Sequence, residues 1–189
     1  MNIKKIAVLA SGSGTNTENL VRFFKLHPQI EVSFILSNKK DAFVLKRAAS
    51  LGVKSEYFTR EDFKKEEFLN KFEKIDLIVL AGFLWLIPAY LIRAFPKRII
   101  NIHPALLPSY GGKGMYGMNV HKAVIENKEK ESGISIHYVN ENYDEGNIIF
   151  QAKCKLSPEE TPESLSMKIH DLEHEHFPKI VKQVLDNLR

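Results

Sequence analysis

Four short apolar runs constrain this chain more than any other feature. Residues 6–9, 32–36, 77–80 and 99–102 are dominated by Ile, Val and Leu and do not alternate with polar positions. Strands covered on both faces read this way, whereas a strand with one wet face alternates. Segments at helical spacing lie between them. Residues 16–26 carry Leu20, Val21 and Phe24 on one face. Residues 41–51 run from Asp41, a candidate N-cap, to Gly52, a natural C-cap. Residues 61–72 set Phe63, Phe68, Leu69 and Phe72 at helical intervals. Strand–helix alternation of this kind predicts an α/β fold, a doubly wound and mostly parallel sheet.

After Pro108 the texture changes. Residues 110–118 hold Gly111, Gly112, Gly114 and Gly117 and predict a loop, expected to be mobile. A short helix is expected over 119–127. Residues 134–139 alternate as a half-exposed strand does, and 147–156 read as a partner strand, with Asp144-Glu145-Gly146 in the turn. This pair predicts an antiparallel extension of the sheet. A closing helix is expected over 161–188, with Pro162 in its first turn and Pro178 kinking or interrupting it. No repeat, low-complexity tract or linker divides the 189 residues, so one domain is expected over 1–189.

Charge and composition exclude several classes. The net charge is +4, and basic and acidic residues are interspersed, as in Lys64-Lys65-Glu66-Glu67. A nucleic-acid surface concentrates its Lys and Arg on one face, so no nucleic-acid partner is expected. The opening apolar run is too short for a membrane span and has no signal-peptide pattern, so no membrane partner is expected and residence is expected to be cytoplasmic. A single cysteine, Cys154, excludes an internal disulfide and a cysteine metal cluster; its strand-like surroundings suggest packing.

Several segments carry chemical content. Ala10-Ser11-Gly12-Ser13-Gly14-Thr15-Asn16 joins the first strand to the first helix. It suits a phosphate at a helix N-terminus, or is a tight turn with no ligand. It lacks a Walker lysine, and Thr17 stands where the third glycine of a dinucleotide fingerprint would be. Asn101 and His103 end the fourth apolar run, just before Pro104. An amide can donate to a developing oxyanion, and an imidazole exchanges protons near neutrality. The same pair can also satisfy local backbone groups. Asp144 is either part of a solvated turn or a carboxylate that orients His103 and raises its pKa. Spacing alone does not bring the two together. His170 and His174 share a helix face, as metal pairs do, but no third ligand is evident, and an exposed polar segment is expected there. Phe83 and Trp85 are core residues or a flat wall for a planar heterocycle.

Together, Val8 to Asn16, Ser37-Asn38-Lys39-Lys40-Asp41-Ala42, Leu80-Ala81-Gly82-Phe83, Asn101 to Pro108, Ser132 to Gly146, Ile149-Phe150-Gln151-Ala152 and Glu173-His174 resemble the folate-dependent phosphoribosylglycinamide formyltransferases. The resemblance implies a Rossmann-like α/β sheet with a phosphate-binding half over about 1–100 and a catalytic and folate-binding half over about 101–189. It implies transfer of the formyl group of 10-formyltetrahydrofolate, a co-substrate, to the amine of glycinamide ribonucleotide in purine biosynthesis, without a metal, by a monomer or homodimer. Asn101, His103 and Asp144 correspond to the catalytic trio. Gly14, Thr15, Asn16 and Thr17 correspond to the phosphate cradle, and Glu173 to the ribose-binding group. Arg60, Leu84, Trp85, Leu86 and Ile87, with Asn101, Asn140, Glu141, Asn142, Tyr143 and Asp144, correspond to the folate pocket, and the 111–117 loop is expected to cover the substrate. Two positions depart from the pattern: Thr15 stands where Ser is usual, and Trp85 where Arg is common in bacterial members. The alternatives are a formyltetrahydrofolate deformylase-like hydrolase and a non-catalytic phosphate- or nucleotide-binding module.

Overall fold

A computed structural model describes residues 3–188. Seven strands form one sheet in the order β3-β2-β1-β4-β5-β6-β7. They are β1 (Lys4–Leu9), β2 (Ile30–Ser37), β3 (Lys54–Tyr57), β4 (Leu77–Leu80), β5 (Ile99–His103), β6 (Glu131–Tyr138) and β7 (Ile148–Lys155). The first five run parallel, β6 pairs antiparallel with β5, and β7 pairs antiparallel with β6. The expected mostly parallel sheet with an antiparallel extension is therefore what forms.

Chain order reverses between β1 and β4: β2 and β3 lie to one side, β4 and β5 to the other. A crevice opens outside the strand ends at such a point, because successive connections leave in opposite directions. The loop after β1 and the loop after β4 meet there, and the Ser11 N–H donates to the Gly82 carbonyl at 3.0 Å.

Helices α1 (Thr15–Phe24), α2 (Phe43–Leu51), α5 (Met118–Glu126) and α6 (Pro162–Asn187) contribute to one hydrophobic core with Ile6, Val8, Leu77 and Ile100. The other core is aromatic. Phe58, Phe63, Phe68, Phe72, Phe83 and Phe95 gather there with α4 (Ala89–Ala94).

Several local expectations are corrected. Residues 61–72 do not form one helix: α3 (Arg60–Lys64) stops at Lys65, which is extended, and a 3-10 turn follows over Glu66–Phe72. Phe63 and Phe68 are five residues apart, which on one α-helix would place them about 140° apart. The break lets both rings reach Phe58, at centroid distances of 5.1 and 4.9 Å. The N-cap of α2 is Ala42 rather than Asp41. Strand β6 is buried along both faces rather than half-exposed: Ile134 and Ile136 join the core shared with α6 on one face, and the polar Ser135 and His137 are enclosed on the other. Pro178 does not interrupt α6. Proline has no N–H for the carbonyl four residues earlier, and that carbonyl, of His174, instead accepts from Asn19 Nδ2 at 2.9 Å.

Candidate active site

Asn101 and His103 sit two residues apart on β5, which places both side chains on one face of the sheet. The turn that follows is held from β6. Ser135 Oγ donates to the Ala105 carbonyl at 2.7 Å and accepts from the Leu107 N–H at 2.9 Å. Gln151 Nε2 donates to the same Oγ at 2.8 Å and to the Leu107 carbonyl at 3.0 Å.

Asp144 arrives from the loop between β6 and β7. Its φ of 57° is left-handed, a conformation that Asp tolerates better than most residues. Gly146 lets this loop close, since a Cβ there would overlap the Tyr138 carbonyl. Asp144 Oδ1 accepts from Asn101 Nδ2 at 3.3 Å, and Oδ2 accepts from the Gly112 N–H at 3.0 Å. Oδ2 also lies 3.5 Å from His103 Nδ1. The three side chains therefore converge from positions up to 43 residues apart.

His137 was not singled out by the sequence. It stands opposite Asn101 in the β5–β6 register. Its Nδ1 lies 2.8 Å from the Tyr138 carbonyl, which can only accept, so Nδ1 carries the hydrogen. Nε2 is left to accept from Asn101 Nδ2 at 3.1 Å. The same argument places a hydrogen on His103 Nε2, which donates to the Tyr110 carbonyl at 2.7 Å. The signal available in the sequence was position alone: His137 lies two residues after Ser135 on an alternating strand.

Burial and charge compete at this cluster. Burial pushes the His103 pKa down, and this outweighs the raising effects of Asp144 and the Tyr110 carbonyl; nearby His137 lowers it further. His103 thus titrates below its ordinary value, the reverse of the expected rise. Burial likewise pushes Asp144 up, but His137, His103 and the Gly112 N–H together hold its carboxyl below the usual range.

The cluster forms one end of a cavity of about 710 Å³. The loop after β1 forms the other end. Gly14 is the N-cap of α1 with φ 78°, and a Cβ there would run into Val44. The first intrahelical bond to Gly14 comes from the Glu18 N–H, so the N–H groups of Thr15, Asn16 and Thr17 have no acceptor within the helix. Such a terminus favours an anion. Arg47 Nε fastens the loop by donating to the Ser13 carbonyl at 2.8 Å. Ser11 Oγ donates to Asn38 Oδ1 at 2.7 Å and accepts from the Leu84 N–H at 3.0 Å, which joins the ends of β1, β2 and β4.

Gly14, Thr15, Asn16 and Glu173 all line this cavity. Glu173 comes from α6, is buried, and accepts from Asn16 Nδ2 at 2.8 Å. Burial raises its pKa against the lowering effects of Asn16 and His170. The Thr17 side chain turns into the core, so only its backbone can face a ligand. Arg60, Leu84 and Trp85 also line the cavity, and the Arg60 guanidinium lies over the Trp85 ring at 5.4 Å. Leu86, Ile87, Asn142 and Tyr143 line a smaller adjoining cavity. Asn140 and Glu141 line neither; Asn140 Oδ1 instead accepts from the Asn142 N–H at 3.0 Å and shapes the loop. His170 and His174 stack with nearly parallel rings, 6.3 Å apart. Among the described residues, no three His, Cys, Asp or Glu side chains gather as a metal site, and no helix is long and apolar enough to cross a membrane.

The sequence profile of the family described as formyl transferase matches residues 4–181. The chain belongs to the formyl transferase family. Within this family it is 38% identical to a chloroplastic phosphoribosylglycinamide formyltransferase of Arabidopsis thaliana, over 97% of this chain and 66% of that protein. It is 33% identical to the phosphoribosylglycinamide formyltransferase of Bacillus subtilis, over 97% of this chain and 95% of that one. The chain therefore spans just under two thirds of the length of the plant relative. The crystal structure of glycinamide ribonucleotide transformylase 1 from Geobacillus kaustophilus superposes with a TM-score of 0.88 at 33% identity, covering 97% of this chain and 100% of that one. The fold of this formyl transferase is thus that of solved relatives.

Proposed function

We propose that this formyl transferase moves the formyl group of 10-formyltetrahydrofolate onto the amine of glycinamide ribonucleotide, in purine biosynthesis in the cytoplasm. The observation that carries the reading is one cavity with two chemically different ends. A helix N-terminus and a buried carboxylate, Glu173, suit a phosphate and ribose hydroxyls at one end. Asn101, His103 and Asp144 meet at the other. A phosphorylated acceptor laid between them brings its amine to the trio. The aromatic and apolar wall of Phe83, Leu84 and Trp85, extended by Leu86 and Ile87, suits a flat heterocycle such as the pterin.

The chemistry follows from the contacts. The acceptor amine attacks the formyl carbon, and the carbonyl oxygen becomes an oxyanion. Asn101 is the amide donor for that oxygen. Both of its N–H groups are engaged at rest, with His137 and Asp144, so one bond must be exchanged. The contact with Asp144, 3.3 Å against 3.1 Å, is the longer. As the amine gains positive charge, its proton passes to the His103–Asp144 pair and returns to the folate nitrogen as the carbon–nitrogen bond to it breaks. His103 receives a proton at Nδ1, beside the Asp144 carboxylate, which stabilises the imidazolium that burial disfavours. Direct contact of His103 Nε2 with the oxyanion requires the Tyr110 carbonyl to move away.

The test is consumption of 10-formyltetrahydrofolate by the purified protein with and without glycinamide ribonucleotide. Acceptor-dependent release of tetrahydrofolate is expected. Equal rates in both would point to the deformylase-like hydrolase and overturn the transferase reading.

A further inference from the structure

His121 lies on α5 within the wall of the large cavity, and the residue is 3% exposed. Its Nδ1 is buried and finds no hydrogen-bond partner among the described residues. Buried polar atoms are nearly always paired, because an unpaired one forfeits its bonds to water without replacement. Its helix neighbours Val120 and Val124 are buried apolar side chains, so an apolar residue would suit this position on packing grounds alone. His103 and His170 line the same cavity. His121 thus shares one cavity wall with His103 and Asp144 of the proposed reaction end and with Glu173 of the proposed ribose end.

We infer that His121 is a specificity-determining residue for the acceptor, its imidazole hydrogen-bonding the carboxamide that joins the ribose to the attacking amine. The inference rests on the transferase reading above. An acceptor spanning both ends must pass its –NH–CO–CH2– linker along this wall. That linker carries one donor and one acceptor. A neutral imidazole carries one of each as well. Burial, assisted by His170 and His103, lowers the His121 pKa to about 4, so the ring is neutral near pH 7.

The experiment compares wild type, H121L and H121Q with glycinamide ribonucleotide and with an analogue whose linker N–H is replaced by CH2. H121L is expected to raise the KM for the acceptor at least tenfold and leave the KM for 10-formyltetrahydrofolate within twofold. Its melting temperature is expected to be no lower than that of wild type, since an unpaired polar atom is removed. H121Q, which keeps a donor and an acceptor, should recover most of the lost affinity. Wild type should prefer the natural acceptor to the analogue at least tenfold, and H121L should not. An unchanged acceptor KM, an unchanged preference in H121L, or a marked loss of thermal stability in both H121L and H121Q would assign His121 to packing and overturn the inference. Absence of acceptor-dependent transfer in wild type would instead overturn the transferase reading, and this inference with it.

Discussion

Asn101 and His137 face each other across the β5–β6 ladder, with Asn101 Nδ2 3.1 Å from His137 Nε2. The Tyr138 carbonyl fixes a hydrogen on His137 Nδ1; a protonated ring would turn Nε2–H to Asp144 Oδ1, 3.5 Å away, whereas Nε2 of the neutral ring accepts from the amide. That orientation aims the Asn101 N–H groups, not its oxygen, toward Asp144 and the cavity. His137 is thus a positioning residue. Replacing it with Phe removes the acceptor and frees the amide to turn over. We expect kcat to fall about tenfold, equivalent to about 1.4 kcal/mol of transition-state stabilisation, with both KM values nearly unchanged and substantial recovery in H137Q. Steady-state kinetics of the two variants checks this; a KM effect without a kcat effect would contradict it.

Asp144→Asn keeps the shape of the side chain and removes its charge. One of its two polar atoms becomes a donor, opposing either the Gly112 N–H or the Asn101 amide. Turnover is expected to fall by roughly 10²–10⁴, the scale of lost acid–base assistance. Single-turnover rates measured at saturating substrates report this directly.

The pH dependence has a defined sign. His103 titrates below its ordinary value because burial dominates, so the acid limb of kcat/KM that reports it is expected below pH 6.5. Asp144 is one of the groups that raise this pKa, so the residual activity of D144N should show the limb displaced to still lower pH. A limb moving upward in the variant would contradict the assigned balance.

Much of this was legible in the residues. The runs that became β1, β2, β4 and β5 are apolar throughout because both faces are covered, and burial on both sides leaves a clear mark. Strand β3, Lys54-Ser55-Glu56-Tyr57, escaped notice because it lies at the sheet edge and is polar and largely exposed. Asn101 and His103 stood out as polar residues ending an apolar run. The approach of Asp144 was not contained in any spacing, since it depends on how the β6–β7 loop closes at Gly146. The Tyr110 carbonyl and the Gly112 N–H are backbone groups and leave no side-chain signature. The pairing of His103 with Asp144 is visible in the sequence as a possibility, whereas the depth of burial that lowers its pKa is not.

Stability should also depend on pH through His121. Its folded-state pKa of about 4 lies below the ordinary histidine value of 6.5, so the unfolded chain binds more protons between those limits. Above pH 6.5 the ring is neutral in both states and adds no pH-dependent term; as pH falls toward 4 folding carries a growing penalty for keeping it uncharged. Urea denaturation of wild type and H121L at pH 7 and pH 5 is expected to show a smaller acid loss in the variant.

The Ser135 hydroxyl supports the turn after β5 by bonding both Ala105 and Leu107. Ser135→Ala leaves the buried Leu107 N–H without that acceptor. A loss of about 1–3 kcal/mol is expected, together with reduced turnover, because the turn carries His103 at its start. Denaturant midpoints and kcat measured on the same preparation test the linkage.

The most direct test follows the carbon itself. Carbon-13 in the formyl group of 10-formyltetrahydrofolate, tracked by NMR during turnover with glycinamide ribonucleotide, should appear as a formamide on the acceptor in wild type and transfer far more slowly in D144N. Label collecting as free formate at the same rate with or without acceptor would contradict the account.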